Sequence, residues 1–338
     1  MRRAWRPAPS PGTLWQSFAV GPLLSAVDAL QMRATAPARA AANLDNALVI
    51  LGYWRSGTTL LHELLAAAGC WAFPTTHACM NPQSFLLSPA RGEMTAELRR
   101  PMDDMVIRPL SPQEDEFALL ALGARSPYEA LLFPNRLADA LELADPDDLA
   151  PDERSHWCHV LRTFLANVSA SQGNKPLLLK SPAHSCRIAA LQSVLAGCRF
   201  IVMVRDPYAV FESTVRMWRE MFARYAVVPV PSDDEIRAVV LAHRPGFERK
   251  LQAGLQRLAA GRVATIRFED LTSRPAATVA HALQDLRLAG AEDAVRAVEI
   301  EAAHRTGYSA RRTPPPPEWR DRIRERWSEV FSLYRYPH

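Results

Sequence analysis

Residues 48–65 of the chain, LVILGYWRSGTTLLHELL, join an apolar run, a turn that holds Gly52 and Gly57, and an apolar-periodic helix that opens at Thr58 and Thr59. A buried strand, a glycine-bearing loop and a helix N-terminus in this order form a cradle for anions. The loop amides and the first helical N–H groups point at one spot, with the positive end of the helix dipole behind them. The stretch therefore predicts a phosphate site.

The same loop departs from the nucleotide-binding loop of ATPases. Gly52 and Gly57 are spaced as in the first half of that motif, but Thr58 and Thr59 stand where lysine and then serine or threonine are required. The cation is Arg55, inside the loop. Without the lysine the chain lacks the side chain that usually binds the β- and γ-phosphates of a nucleoside triphosphate. This predicts a nucleotide with a single 5′-phosphate and another transferable group, which indicates sulfuryl transfer.

The rest of the chain alternates short apolar runs with long helical patterns. This alternation predicts an α/β fold with a P-loop-like parallel sheet flanked by helices on both faces. The predicted strands cover residues 47–52, 177–180, 200–205 and 264–268. Because ligands of open α/β sheets bind outside the carboxyl ends of the strands, we expect all four ends to border one crevice.

The length of 338 residues and the 48% hydrophobic content predict one large domain over residues 41–338, preceded by a helical lead-in over residues 1–40. Within the lead-in, residues 14–30 are fairly apolar, but Pro22 and Asp28 interrupt them. No run approaches the roughly 18 apolar residues of a membrane span. The lead-in is therefore expected to pack on the domain or to lie on a membrane surface, with a cleaved signal sequence as the alternative, and the protein is expected in the cytoplasm.

The net charge and the cysteine and histidine content limit which partners, disulfides and metal sites are expected. The net charge of +4 comes without a basic stripe, which argues against a nucleic-acid partner. Five cysteines without CxxC spacing support neither a disulfide framework nor a zinc site. His156 and His159 lack a carboxylate partner in register, so no metal site is predicted.

Two segments carry a family resemblance. YWRSGTTLL at residues 53–61 resembles the 5′-phosphosulfate loop of sulfotransferases that use 3′-phosphoadenosine 5′-phosphosulfate (PAPS), in particular the bacterial subfamily with a WRSGTT loop. RFIVMVRDPYAVFES at residues 199–213 is similar to the segment that binds the 3′-phosphate in the same enzymes. The similarity runs from about residue 45 to residue 275, through residues 112–122, 177–184 and 263–275.

The resemblance implies two phosphate sites and two catalytic cations. Arg205 and Ser213, eight positions apart, would both bind the 3′-phosphate. Asp206 would cap the helix that carries Ser213. Arg55 would stabilise the charge that develops on the oxygen bridging phosphorus and sulfur, and Lys180 would be the second cation. The residues implied to hold the 5′-phosphate are Arg55, Ser56, Gly57, Thr58 and Thr59.

The catalytic base does not carry over from the cytosolic animal and plant enzymes. They have a lysine followed after one residue by a catalytic histidine, and Pro182 occupies that place here. Pro112 predicts a helix start whose acidic first turn faces the crevice, which makes Glu114 the first candidate and Glu116 the second. His184 is the main rival. The alternative is an acidic helix start without a catalytic role.

A C-terminal segment rich in arginine or lysine and glycine closes over the nucleotide in the cytosolic enzymes. The chain has no such segment, and Arg305, Arg311 and Arg312 are the candidates to replace it.

These features predict a PAPS-dependent sulfotransferase that acts on a hydroxyl group of a small molecule, glycan or lipid. No metal is required, because sulfuryl transfer leaves no chelating phosphate pair near the reacting sulfur. A P-loop phosphotransferase that uses ATP is the alternative in another reaction class, and the missing lysine counts against it. An inactive nucleotide-binding scaffold is the alternative that is not an enzyme.

Overall fold

The computed structural model describes residues 11–88, 98–99, 106–288, 291–304 and 314–337, with side chains except those of residues 11–22 and 98–99. The strands are β1 (Leu48–Leu51), β2 (Leu98–Arg99), β3 (Val106–Ile107), β4 (Leu178–Lys180), β5 (Arg199–Val204) and β6 (Val263–Arg267). β1, β4, β5 and β6 form a parallel sheet in the order β4-β1-β5-β6, and β2 pairs with β3 in an antiparallel ribbon. The four predicted strands are confirmed, with bounds that differ by one residue.

Helices fill most of the remaining described chain. The α-helices are α1 (Pro11–Ala34), α2 (Ala36–Ala40), α3 (Thr58–Ala66), α4 (Thr76–Met80), α5 (Glu116–Ala121), α6 (Leu137–Glu142), α7 (Pro151–Ser171), α8 (Ile188–Val194), α9 (Pro207–Tyr225), α10 (Asp233–Leu255), α11 (Phe268–Ser273), α12 (Pro275–Asp285), α13 (Ala291–His304), α14 (Pro317–Arg326) and α15 (Ser328–Tyr334). Short 3-10 helices cover Pro127–Leu131, Pro134–Arg136, Pro146–Asp148 and Pro182–Cys186.

The central strand β1 is buried on both faces. Val49 and Leu51 pack into one apolar cluster with residues of α7, α8, α9 and α10, whereas Leu48 and Ile50 pack into a second cluster with residues of α3, α12 and α13. Since alternate side chains of a strand point to opposite faces, a strand that is apolar throughout requires a helical layer on each side. The predicted α/β fold, with helices on both faces of a parallel sheet, is confirmed.

The lead-in is helical, and α1 runs through Pro22. Gln31 is buried and attaches α1 to the segment that follows α4, because its side-chain nitrogen donates to the carbonyl of Pro82 and its oxygen accepts from the amide of Leu86. No described helix is long and apolar enough to cross a membrane.

The predicted helix start at Pro112 is wrong. Pro112 forms an antiparallel bridge with Thr75, and the amide of Gln113 donates to the carbonyl of Pro74, so the chain is extended there. The helix begins at Glu116. Glu114 therefore precedes α5 instead of lying in its first turn, because pairing with a distant segment outweighs the local tendency of proline to begin a helix.

Candidate active site

The loop between β1 and α3 depends on two glycines. Gly52 has φ of +146° and Gly57 has φ of +99°. A Cβ atom on Gly52 would lie 2.6 Å from Oγ of Ser56 and 2.7 Å from the backbone oxygen of Met203, and one on Gly57 would collide with the ring of Phe268. The loop therefore packs too closely against neighbouring elements for any side chain at these positions.

Hydrogen bonds hold the loop in place. The amide and the hydroxyl of Ser56 both donate to the carbonyl of Tyr53, at 3.1 and 2.8 Å. The amide of Gly52 donates to Oγ of Ser185 at 2.9 Å, and Thr214 of α9 donates to the carbonyl of Trp54 at 3.1 Å. The hydroxyl and the amide of Ser56 are thus both used inside the loop, so an anion would be bound by the backbone amides that begin α3.

The N-terminus of α3 begins at the end of this loop. Gly57 stands at the capping position, and within the described part of the chain no side chain caps this helix. Thr58, in its first turn, is buried, and Thr59 is partly exposed. An uncapped N-terminus behind a glycine loop leaves amide donors for an anion, as the sequence predicts.

Three arginines converge next to the loop. Nε of Arg55 donates to Oγ of Ser213 at 3.0 Å, and Nη2 of Arg216 approaches the same oxygen at 3.5 Å. Arg205 donates to the carbonyl of Arg55 at 3.1 Å, and its guanidinium lies 4.2 Å from the centre of the Phe268 ring. The structure thus brings together the three residues Arg55, Arg205 and Ser213 that the sequence placed at the two phosphates.

Arg216 was not identified from the sequence. It follows Ser213 by three residues on α9, and residues three apart are neighbours on a helix surface. That spacing was the available signal. The remaining local predictions for α9 are confirmed, since Asp206 caps the helix by accepting from the amide of Tyr208 at 2.9 Å and Pro207 is its first residue.

Three successive carboxylates, at residues 114–116, each pair with one basic side chain from residues 180–187. We call this arrangement the acid–base ladder. Its pairs are Glu114 with Lys180 (2.6 Å), Asp115 with His184 (3.0 Å) and Glu116 with Arg187. The ladder joins the segment before α5 to the end of β4 and the 3-10 helix that follows it.

The three pairs differ in their access to the crevice. Asp115 and Glu116 are fully buried, whereas Glu114 retains 7% of its accessible surface. Oγ of Ser126 donates to Glu116 at 2.7 Å, in addition to the bond from Arg187. Glu114 instead accepts from Lys180 at the carboxyl end of β4 and from the hydroxyl of Tyr128.

His184 has both ring nitrogens engaged. Nε of Arg187 lies 3.2 Å from Nδ1 of His184, and Nε2 lies 3.0 Å from Oδ2 of Asp115. A guanidinium only donates, so Nδ1 accepts and Nε2 donates to the carboxylate. Burial alone would raise the pKa of Asp115, but His184 and Arg187 outweigh burial and hold that pKa below its ordinary value.

Two further points of the sequence analysis concern three C-terminal arginines and a metal site. Arg305, Arg311 and Arg312 lie outside the described residues. Among the residues that the structure describes, no group of three or more His, Cys, Asp or Glu side chains is placed to hold a metal ion.

The comparison with known proteins gives one family. The family model described as "Sulfotransferase family" matches residues 47–293. The omega-hydroxy-beta-dihydromenaquinone-9 sulfotransferases Stf3 of Mycobacterium bovis and Mycobacterium tuberculosis are each 32% identical over 295 residues, which cover 86% of this chain and 76% of the relative.

Solved structures support the fold. Sulfotransferase STF9 from Mycobacterium avium superposes with a TM-score of 0.70 at 16% identity, covering 90% of this chain and 81% of its own. STF1 from Mycobacterium tuberculosis H37Rv superposes with a TM-score of 0.64 at the same identity and coverage. At this level of identity the likeness establishes the shared architecture alone.

Proposed function

The chain belongs to the sulfotransferase family, and from this premise we propose that it transfers the sulfuryl group of PAPS to the hydroxyl group of an acceptor. The choice of PAPS as the sulfuryl donor rests on one observation. Arg55, Arg205 and Ser213 lie together beside the uncapped N-terminus of α3. Two phosphates on one nucleoside, one at each end of this cluster, match its two groups of donors.

Binding of the donor divides between the loop and α9. The amides of residues 57–59 and the dipole of α3 would hold the 5′-phosphate. Arg205 and Ser213 would hold the 3′-phosphate, with Arg216 close enough to contribute a further charge. ATP fits less well, because Thr58 stands where its β- and γ-phosphates need a lysine.

In the transfer step the acceptor oxygen attacks sulfur, and the bond from sulfur to the oxygen of the 5′-phosphate breaks. Negative charge grows on that leaving oxygen, so a cation held at the loop lowers the barrier more than it strengthens substrate binding. Arg55 lies in the loop, and Lys180 lies at the end of the neighbouring strand β4. We assign both to this charge. The product nucleotide leaves as adenosine 3′,5′-bisphosphate.

The proton of the acceptor hydroxyl goes to Glu114 in this proposal. Glu116 and His184 are both fully buried, and both ring nitrogens of His184 are engaged, so neither presents a basic atom to an acceptor. Glu114 is the member of the acid–base ladder with residual exposure, and it contacts Lys180. A general base must lie within hydrogen-bond reach of the proton that it removes, which favours this carboxylate.

The acceptor class that we propose is supported by the name of the Stf3 relatives. Stf3 is named for a hydroxylated menaquinone, a lipid alcohol, and at 32% identity we propose that this chain also acts on a hydroxyl group of a lipid or another small molecule. All five cysteines are free thiols, which is compatible with the cytoplasm, where we place the enzyme.

The test of this function combines binding and turnover. Adenosine 3′,5′-bisphosphate should raise the melting temperature, whereas ATP with Mg²⁺ should not. Labelled PAPS should transfer its label to hydroxyl compounds in a panel that includes lipid alcohols, and EDTA should leave the rate unchanged. Stabilisation by ATP with Mg²⁺, together with a rate that EDTA abolishes, would favour a phosphotransferase. Nucleotide binding without turnover of any acceptor would indicate an inactive scaffold.

A further inference from the structure

We propose that Tyr128 is a positioning residue for sulfuryl transfer, whose hydroxyl orients the carboxylate of Glu114 and connects it to the nucleotide loop. The inference rests on the proposed function, in which Glu114 takes the proton of the acceptor. Tyr128 lies in the 3-10 helix Pro127–Leu131, outside every segment that the sequence marked as functional.

The carboxylate of Glu114 is held at both oxygens. Lys180 donates to Oε1 from 2.6 Å, and the hydroxyl of Tyr128 donates to Oε2. With one bond on each oxygen, rotation of the carboxylate would break both. Each carboxylate oxygen has two lone pairs, so one on each stays available for the acceptor hydroxyl. Tyr128 thus restricts the direction in which Glu114 can receive a proton.

The phenol itself is rigidly placed. Tyr128 is 5% exposed, and its ring lies 5.0 Å from that of Phe117 and 6.2 Å from that of Trp218, measured between centroids. Burial and the negative charge of Glu114 raise the pKa of Tyr128 well above its ordinary value. The hydroxyl therefore keeps its proton and acts as a donor to the carboxylate, not as a base.

The same hydroxyl reaches the nucleotide loop. Nε1 of Trp54 donates to it at 3.4 Å, and the carbonyl of Trp54 accepts from Thr214, the neighbour of Ser213 on α9. Trp54 directly precedes Arg55. A continuous set of contacts thus runs from the helix that carries Ser213, through the loop, to Tyr128 and Glu114, and sets the distance between donor and base.

The charged groups that act on this phenol in the described structure are few. Glu114 and Glu116, before and at the start of α5, act on it directly, and Lys180 of β4 faces it across Glu114. The neighbouring rings of Phe117, Trp218 and Trp54 carry no charge. Since this phenol is the donor to Oε2 of Glu114, its loss should leave the carboxylate held by Lys180 alone.

The test is Tyr128→Phe, which keeps the ring and removes the hydroxyl. We expect kcat to fall roughly 10- to 100-fold, the ratio that corresponds to one hydrogen bond to a charged group, with the KM for PAPS nearly unchanged. Tyr334→Phe is the matched control, because Tyr334 also donates to a buried glutamate, Glu248, outside the proposed site. It should leave kcat as in the wild type.

A double variant tests the route of the effect. If Tyr128 acts through Glu114, then Glu114→Gln with Tyr128→Phe should lose no more kcat than Glu114→Gln alone. Additive losses, or an unchanged kcat in Tyr128→Phe, would overturn the inference while wild-type turnover of PAPS still supported the proposed function. A wild type that fails to turn over PAPS would instead refute the function itself. Near-normal turnover of Glu114→Gln would refute both the base and the positioning role.

Discussion

Ser213 accepts hydrogen bonds from two arginines that belong to different elements, Arg55 of the loop and Arg216 of α9. Arg205 brings a third guanidinium to the same place, because it donates to the backbone carbonyl of Arg55. Like charges are held this close at little cost only where an anion or a set of acceptors compensates them. The chemistry of this cluster thus depends on single side chains, which can be tested one at a time.

Arg205→Ala should weaken adenosine 3′,5′-bisphosphate much more than adenosine 5′-monophosphate. Loss of a charge-assisted contact to the 3′-phosphate is expected to cost about 1.5–3 kcal/mol of binding. Calorimetry with both nucleotides measures the difference, and Arg274→Ala, at a side chain that is 73% exposed, is the control. Equal weakening of the two nucleotides would mean that Arg205 does not contact the 3′-phosphate.

Glu114→Gln should lower kcat by about 100-fold or more, the effect typical of a missing general base. Glu116→Gln removes a buried charge that faces Arg187, so we expect it chiefly to destabilise the fold. Turnover at saturating PAPS, with bisphosphate affinity checked in each variant, separates the two, and His184→Asn completes the series. A His184 variant without turnover, beside a Glu114 variant that keeps it, would transfer the role of base to His184.

At the scale of elements, α9 connects two parts of the site. Its first turn is capped by Asp206, its second carries Ser213 and Thr214, and Arg216 follows on the next turn. Thr214 donates to the carbonyl of Trp54 and so positions the loop, while Ser213 faces Arg55. The unit of β1, loop and α3 is held from this side by α9 and from the other by Ser185. The loop is therefore ordered by its neighbours as well as by its own glycines.

Gly52→Ala should destabilise the protein and weaken bisphosphate binding. A side chain at φ of +146° carries strain of about 1–3 kcal/mol, and the new Cβ would also meet Ser56 and the backbone of Met203. Gly69→Ala is the matched control, because Gly69 also has a positive φ, of +67°, but nothing within 4 Å of the added atom. Denaturant unfolding of both variants isolates the cost of the collision. Equal losses in the two variants would show that only backbone strain matters.

At the scale of the whole molecule, the acid–base ladder joins segments about 66 to 71 residues apart in sequence. Its charges are almost completely removed from water, so breaking a pair leaves an uncompensated buried charge. The ladder thus couples the placement of Glu114 to the integrity of the sheet end that carries Lys180.

The contribution of Asp115 should depend on pH. Its folded-state pKa is held below the ordinary value of 3.8, so on acidification the unfolded chain takes up the proton first. The stabilisation is therefore complete above the unfolded value and is lost as the pH falls through the folded one. The difference in unfolding free energy between wild type and Asp115→Asn should shrink below about pH 4. Asp139→Asn, at an exposed pair with Arg136, is the control, and a difference that stayed constant down to pH 3 would contradict the expectation.

Much of the proposed nucleotide site could be read from the sequence, because its determinants are local. Gly52 and Gly57 mark the turn, the apolar run before them marks β1, and the eight-residue spacing places Arg205 just before α9 and Ser213 in its second turn. Since the carboxyl ends of parallel strands meet at one edge of a sheet, local elements suffice to predict that these parts come together. The fold class was predictable for the same reason.

The surroundings of Glu114 were decided only by the tertiary structure. Its position before α5 results from the pairing of Pro112 with Thr75, and its partners Lys180 and Tyr128 come from a strand and a 3-10 helix that no periodicity relates to it. In the sequence, each of the three adjacent carboxylates could pair with any of several basic residues. Which pairs form depends on packing and on the cost of burying each charge, and these are long-range properties that a local pattern does not contain.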